Sequence, residues 1–186
     1  MMEKMSIEQI QENFQIRKLK PEEQIDHFDC GDEDLNDYIL NDAVYYRQAM
    51  LSVTYIIEEK VTKEVAAYYS LAADSISLSS FPTKTEFNRF RKHRFVNEKR
   101  IKSYPAVKLC RLGTSLSMRG KGIGAFIVDY VKYSLVHDMQ WGCRFLTVDA
   151  YTTALGFYLT NGFEYLSEEE KDAERPLLYF DLNEIV

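Results

Sequence analysis

Hydrophobic and polar residues alternate along some segments of the chain and repeat at helical spacing in others. Runs rich in β-branched and aromatic residues are typical of strands, whereas apolar residues at intervals of three and four are typical of a helix. The predicted strands are 14–19, 51–59, 65–76, 106–115, 144–150, 163–166 and 177–182, and the predicted helices begin near 32, 123 and 152. We expect Asp32 to be an N-cap. This order predicts a mixed α/β sheet with helices on both faces.

The segment 81–104 interrupts this pattern, and we expect it to be a helix or an ordered insertion that ends at Pro105. Its part from 81 to 102 holds eight basic residues against two acidic residues, a net charge of +6, although the whole chain carries −6. A local basic segment can bind a polyanion such as RNA. The alternative is a solvated helix face that carries salt bridges.

Composition limits the class of protein. The chain has 186 residues, of which 46% are hydrophobic, and this suits one domain over 1–186. We expect no membrane span and no signal peptide, because no apolar run is long enough. The scattered cysteines predict a reduced, cytoplasmic protein, with Cys30 and Cys110 as packing residues. We expect no metal site, since His27, His93 and His137 are not at the spacing of metal ligands.

A glycine-rich turn at 119–124, with the sequence RGKGIG, lies between a predicted strand and a predicted helix. Glycines let a ligand approach the backbone closely, and the N-terminus of a helix offers N–H groups and a positive dipole end to phosphate. Arg119 and Lys121 add positive charge. The turn therefore predicts a pyrophosphate site, and a flexible glycine-rich loop is the alternative.

Two known phosphate-binding motifs can be compared with this turn to limit the class of ligand. A Walker A loop is absent. A loose dinucleotide fingerprint, Gly120-x-Gly122-x-x-Ala125, is present, and Asp149 ends the next predicted strand. In dinucleotide-binding folds the glycines follow the strand directly, whereas residues 116–119 intervene here. Nicotinamide binding is therefore the less favoured alternative.

Two motifs together resemble the GNAT N-acetyltransferases. Arg119-x-x-Gly122-x-Gly124 after a strand resembles the coenzyme A signature of that family, and 154–158 (ALGFY) followed by 161–163 (NGF) is similar to its late segment. The resemblance covers 14–182. It implies a GNAT-type, mostly antiparallel sheet in which the coenzyme strand 108–114 splays from 146–150. It implies binding of acetyl-CoA by Leu112, Gly113, Thr114, Arg119, Gly120, Lys121, Gly122, Ile123 and Gly124.

Tyr158 matches the family tyrosine that donates a proton to the departing thiolate of coenzyme A. A phenol with a pKa near 10 stays protonated at neutral pH and can protonate a thiolate, whose acid has a pKa near 8 to 9. The alternatives are a packing or a positioning role. We expect Phe157 to be the better core residue of the two.

No general base is evident on the predicted coenzyme strand, because 108–115 carries no carboxylate. A lysine amine with a pKa of about 10.4 is only about 0.1% neutral near pH 7.4, whereas an α-amine with a pKa of about 8 is far easier to deprotonate. The missing carboxylate therefore favours an α-amine as the acetyl acceptor, and the alternative is a base supplied from elsewhere in the chain or acting through water.

The N-terminal half resembles a GNAT subgroup, the bacterial toxins that acetylate the amino acid on aminoacyl-tRNA. The segments are 28–31 (FDCG), 35–40 (LNDYIL), 67–72 (AYYSLA), 104–107 (YPAV), 109–112 (LCRL) and 148–150 (VDA). This chain departs from the subgroup at 113–115. The resemblance implies an aminoacyl-tRNA acceptor bound through 81–102. The partners considered with it are a ribbon-helix-helix antitoxin and a second copy of the chain as a homodimer. The alternatives are a protein or small-amine acetyltransferase and an inactive coenzyme A-binding module.

Overall fold

A computed structural model describes residues 4–92, 94–95, 100–138 and 141–186 of the chain. Seven strands of these described residues form one sheet in the order β1-β2-β3-β4-β5-β7-β6. The strands are β1 (Phe14–Lys18), β2 (Val53–Glu59), β3 (Val65–Ser77), β4 (Ser103–Thr114), β5 (Phe145–Asp149), β6 (Glu164–Tyr165) and β7 (Leu177–Asp181). The α-helices are α1 (Ile7–Asn13), α2 (Glu33–Asp37), α3 (Ala43–Gln48), α4 (Lys84–Arg91), α5 (Ile123–His137) and α6 (Leu155–Thr160).

The strand pairings confirm the predicted class of sheet. The pairs β1–β2, β2–β3, β5–β7 and β6–β7 are antiparallel, whereas β4 and β5 are parallel. A dinucleotide-binding fold needs an open, mostly parallel sheet. The nicotinamide alternative is therefore wrong.

The parallel pairing of β4 with β5 is short. It joins residues 106–108 to residues 145–147 and ends at the pair Lys108↔Thr147, although β4 continues to Thr114 and β5 continues to Asp149. This early end of the register is what a splayed strand pair produces.

The chain divides into two compact units, each with its own core. The first unit comprises the described residues of Met1–Ala72 together with Leu109–Val131, and the second comprises those of Ala73–Lys108 and Lys132–Val186. Aromatic and aliphatic residues from the loop before α2, from the helical segment Tyr38–Asp42, and from β2 and β3 fill the core of the first unit, among them Phe28, Tyr38, Ile56 and Tyr68. The core of the second unit includes Phe87, Tyr104, Phe145 and Tyr179. One domain over 1–186 stays a prediction.

Local capping explains where three of the helices begin. Asp32 accepts a hydrogen bond from the backbone N–H of Leu35 and starts α2, as predicted. Thr83 caps α4 by accepting from the N–H of Glu86. Helix α1 was not expected, yet Ser6 and Gln9 form a reciprocal capping box at its start.

The interruption at 81–104 contains a short helix, α4, as expected. Its Phe87 is 1% exposed and packs in the core of the second unit. The sequence pattern indicated that this segment ends at Pro105, but it ends earlier, because β4 begins at Ser103. Proline can occupy a strand position where no ladder hydrogen bond from its nitrogen is needed.

In the described part of the chain, no helix has the length and hydrophobicity needed to cross a bilayer.

Candidate functional site

The glycine-rich turn belongs to the first unit and is built to start a helix. Gly120 and Gly122 have φ angles of +78° and +92°, in the left-handed region that favours glycine. The carbonyl oxygen of Gly122 accepts a hydrogen bond of 3.0 Å from the N–H of Phe126 and so opens α5. The N–H groups of the first turn of a helix have no partner within the helix and bind phosphate oxygens readily.

A side chain at Gly122 would not clash with the neighbouring backbone. A Cβ built on this residue would find its nearest neighbour, the carbonyl oxygen of Met5, at 3.9 Å. The N-terminal segment lies next to the turn, because the N–H of Met5 donates to the carbonyl oxygen of Lys121 at 3.0 Å. A small side chain would therefore fit at Gly122, and the binding of a phosphate group by this turn stays a prediction.

Arg119 contacts the loop that precedes α2. Its guanidinium donates to the carbonyl oxygen of Cys30, and a Cβ on Gly31 would lie 3.5 Å from the same guanidinium nitrogen. The pKa of Asp29 is lowered by hydrogen bonds from the N–H of Gly31 and from Asn36, with a further contribution from the charge of Arg119. Arg119 thus fastens the 29–31 loop to the glycine-rich turn, and its role toward phosphate stays a prediction.

Gly113 on β4 is required by close packing. A Cβ on this residue would lie 2.7 Å from the Tyr68 ring, which is closer than atoms can approach without a shift of the neighbour. Tyr68 in turn packs edge-to-face on Phe28 at 5.3 Å and donates to the carbonyl oxygen of Leu35 at 2.6 Å. Three of the segments that resemble the toxins, 28–31, 35–40 and 67–72, therefore lie together near Gly113. The cofactor contacts expected of Leu112, Gly113 and Thr114 stay predictions.

Tyr158 lies in the second unit and is more deeply buried than expected. It is 7% exposed, whereas Phe157 is only half-buried, so the expectation that Phe157 is the better core residue was wrong. Phe163 packs edge-to-face on the Tyr158 ring at 5.5 Å. Burial raises the pKa of Tyr158 to about 12, so the phenol is neutral and carries its proton at neutral pH.

Lys132 supports this region and was missed in the sequence. The residue is 6% exposed, and its ammonium donates to the carbonyl oxygen of Asn161 at 2.5 Å and lies 3.7 Å from the centre of the Phe180 ring. Asn161 follows α6 directly, so Lys132 fixes the turn that ends the Tyr158 helix. The available signal was a lysine within the apolar face of α5, between Val128 and Leu135.

A charged cluster lies at the last paired step of β4 and β5, within the second unit. The ammonium of Lys108 is 2.8 Å from Asp149 Oδ2 and 3.9 Å from Asp74 Oδ2. The hydroxyl of Thr147 donates to Asp74 Oδ2 at 2.5 Å. The coenzyme strand has no carboxylate, as the sequence indicated, but the strands β3 and β5 supply two.

The basic segment divides into structural and exposed residues. Arg94 donates to the hydroxyl of Tyr179 at 2.9 Å, lies 3.6 Å from Asp181 and stacks on Phe90. Arg91 donates to the carbonyl oxygen of Ile101. The exposed basic residues are Lys84, Arg89, Lys92, Arg100 and Lys102. Arg94 is partly buried and forms a salt bridge, as the solvated-face alternative allows, and that alternative stays open for the exposed basic residues. The predicted contribution of Lys99 lies outside the described residues.

The cysteines and histidines show no reactive grouping in the described ranges. Cys30 is buried, as expected, and desolvation raises the pKa of its thiol, whereas Cys110 is half-buried. Groups of three or more His, Cys, Asp or Glu side chains that could hold a metal are not found among these residues, and His93 lies outside them.

Comparison with known proteins identifies the fold. No protein-family model matches the chain. It is similar to the structure of AtaTR bound with AcCoA, at 26% identity and a TM-score of 0.73, over 94% of this chain and 96% of that one. It is also similar to AtaT complexed with acetyl-methionyl-tRNAfMet, at 26% identity and a TM-score of 0.69, over 93% of this chain and 97% of that one.

A third similar structure is an AtaT toxin with a tyrosine-to-phenylalanine mutation, bound to the C-terminus of the antitoxin AtaR. Its identity is 24% and its TM-score is 0.70, over 93% of this chain and 96% of that one. The chain therefore has the fold of the GNAT toxin acetyltransferases. The similarity to these structures confirms the predicted resemblance to the GNAT toxins, the predicted fold and the predicted enzyme class of acyltransferase.

Proposed function

We propose that the chain is an acetyl-CoA-dependent N-acetyltransferase that transfers an acetyl group to a primary amine. The observation that carries the proposal is the glycine-rich turn, where two left-handed glycines, Gly120 and Gly122, precede the start of α5. The similar structure of AtaTR was solved with AcCoA bound, which supports the same cosubstrate for this chain.

Different residues of the chain would bind the cosubstrate and donate the proton in this reaction. Backbone groups of Leu112 and Thr114 would bind the pantetheine arm, and the turn at 119–124 would bind the pyrophosphate. The acceptor nitrogen forms a bond to the thioester carbon, the C–S bond breaks, and Tyr158 donates its proton to the sulfur. The phenol of Tyr158 stays protonated until charge develops on the sulfur, although burial makes it a weaker acid than an exposed tyrosine.

Acetyl-CoA should stabilise the protein against heat and should yield free thiol when a suitable amine is added. At a ligand concentration 100-fold above Kd, binding to the folded state adds about 2.7 kcal/mol to the free energy of unfolding. A thermal melt and a thiol assay with mixed amines measure the two effects. An unchanged melt would contradict the cosubstrate, whereas a shifted melt without thiol release would favour an inactive coenzyme A-binding module.

For the acceptor we propose the α-amine of an aminoacyl-tRNA, held through the exposed basic residues of 81–102. These residues project from a segment whose net charge is opposite to that of the whole chain. AtaT was solved in complex with acetyl-methionyl-tRNAfMet, which supports this class of acceptor. The deciding assay adds labelled acetyl-CoA to charged total tRNA, with uncharged tRNA as control. Label in peptides or small amines, and none in charged tRNA, would favour the alternative substrates.

Replacing Lys92, Arg100 and Lys102 with glutamate should weaken tRNA binding by at least about tenfold and flatten its salt dependence, because fewer counterions are released. These side chains are exposed, so folding should be preserved. Filter binding at several salt concentrations measures both quantities. The matched control replaces Lys18, Lys20 and Lys171, which are exposed elsewhere and give the same change in net charge. Equal effects of the two triple variants would contradict a specific RNA surface.

An antitoxin is the proposed protein partner, since AtaT was solved bound to the C-terminus of the antitoxin AtaR. A ribbon-helix-helix architecture for that antitoxin, a homodimer and a cytoplasmic location stay predictions.

A further inference from the structure

The charged cluster at the end of the β4–β5 pairing holds one carboxylate in a fixed orientation. Asp74 Oδ2 accepts the Thr147 hydroxyl at 2.5 Å and lies 3.9 Å from the Lys108 ammonium. Thr147 is fully buried, and its hydroxyl also lies 3.4 Å from the carbonyl oxygen of Val107. The Asp74 side chain is therefore anchored through a single oxygen to a rigid part of the sheet.

The other oxygen of Asp74 is available to a ligand. Among the described residues, Oδ1 has no hydrogen-bond partner, and the side chain is 25% exposed. A carboxylate can accept several hydrogen bonds, so an anchored carboxylate with an open oxygen can bind an N–H donor that enters from solvent.

The negative charge of Asp74 is only partly balanced within the cluster. The Lys108 ammonium lies at 2.8 Å from Asp149 and at 3.9 Å from Asp74, so it pairs mainly with Asp149. The cluster thus contains two carboxylates, Asp74 and Asp149, and one ammonium, that of Lys108. Asp74 thus retains charge with which to attract and orient a cationic or polar amine.

We propose that Asp74 binds the acceptor amine and accepts its proton during acetyl transfer. This inference rests on the proposed function. The cluster occupies the pair Lys108↔Thr147, after which the register between β4 and β5 ends and the thioester is expected to lie. It also supplies the carboxylate that is absent from β4 itself.

The amine loses one proton and the sulfur gains one during the transfer. An N–H of the neutral α-amine bonds to Asp74 Oδ1, and the nitrogen becomes strongly acidic as the C–N bond forms. Asp74 then takes the proton, the C–S bond breaks, and Tyr158 protonates the sulfur. Transfer of the proton from Asp74 to the Tyr158 phenolate through solvent restores both residues, so an amine and a thioester become an amide and a thiol.

The test compares Asp74→Asn with Asp172→Asn, which makes the same change at an exposed position on the 3-10 turn Glu169–Asp172. Asp74→Asn should lower kcat on the order of 10²-fold, the usual contribution of a general base, and should leave the acetyl-CoA-induced thermal shift intact. Asp172→Asn should stay within about twofold of the unaltered enzyme by the same scale.

Chemical rescue separates a proton acceptor from a structural carboxylate. Asp74→Ala should lose activity similarly and regain at least about tenfold when formate is added, because the small carboxylate can occupy the vacated position. Retention of more than about a third of the kcat in Asp74→Asn, or no recovery with formate, would overturn the role of Asp74. An unaltered enzyme that releases no thiol would instead overturn the proposed function, and the inference with it.

Discussion

Replacing Tyr158 with phenylalanine should lower kcat on the order of 10²-fold and leave the affinity for acetyl-CoA unchanged. The hydroxyl acts only when charge develops on sulfur, so its loss affects the transition state and not the bound ground state. A 10²-fold loss corresponds to about 2.7 kcal/mol. Steady-state kinetics measure kcat, and an acetyl-CoA thermal shift measures binding.

The matched control for this variant is Tyr133→Phe, which removes a hydroxyl from a tyrosine that is 56% exposed in the same unit. This control should keep full activity. If Tyr158→Phe also kept full activity, Tyr158 would be a packing residue. If it lost acetyl-CoA binding together with turnover, Tyr158 would position the cosubstrate and the assignment as an acid would fail.

The raised pKa of Tyr158 also predicts how stability depends on pH. Burial favours the neutral phenol in the folded state and raises its pKa from 10 to about 12. The contribution of this residue to the free energy of unfolding is therefore fully present below pH 10 and is lost as the pH rises toward 12. Tyr158→Phe has no such titration, so the unaltered protein should lose stability relative to this variant over this range in denaturant melts.

Local patterns predicted most of the sheet. The hairpin of β2 and β3 and the helix α5 have periodicities that a short window of sequence reveals. Helix α1 was missed because it buries only Ile10, and its capping box was the remaining signal. The order of burial of Phe157 and Tyr158 was predicted wrongly, because α6 has six residues and is too short for its periodicity to define one face.

The glycine-rich turn could be predicted, whereas the charged cluster could not. The turn is contiguous, so its spacing alone indicates a helix N-terminus with room for an anion. Asp74, Lys108 and Asp149 lie on three strands and meet only when β3, β4 and β5 are assembled. The sequence shows that β4 lacks a carboxylate, but it does not show which carboxylates of the neighbouring strands lie beside β4.

Net charge was an incomplete guide to the basic segment. A count of charges treats all the arginines as equivalent, yet the partly buried Arg94 stacks on Phe90 and Tyr179 and lies 3.6 Å from Asp181. An arginine that packs on aromatic rings is part of the fold, and its removal disturbs more than charge. For this reason the proposed RNA surface excludes Arg94 and rests on exposed residues such as Lys92.

Replacing Gly122 with aspartate should abolish binding of acetyl-CoA, seen as loss of the ligand-induced thermal shift at concentrations that saturate the unaltered protein. A Cβ here would meet the carbonyl oxygen of Met5 at 3.9 Å without a clash, and the carboxylate beyond it would lie beside the start of α5, where it would repel the pyrophosphate expected there. The helix itself should persist, because a negative charge near its N-terminus is favourable by about 0.3–1 kcal/mol.

The matched control is Gly122→Asn, which has the same size and shape without the charge. Both variants must adopt the φ angle of +92° at this position, and asparagine and aspartate tolerate left-handed conformations better than other residues with side chains. Backbone strain is thus shared, and the difference between the variants isolates electrostatic repulsion. Gly122→Asn should bind acetyl-CoA more weakly than the unaltered protein but measurably. If both variants bound acetyl-CoA as tightly as the unaltered protein, the phosphate site would lie elsewhere. If both failed equally, shape and not charge would govern the turn.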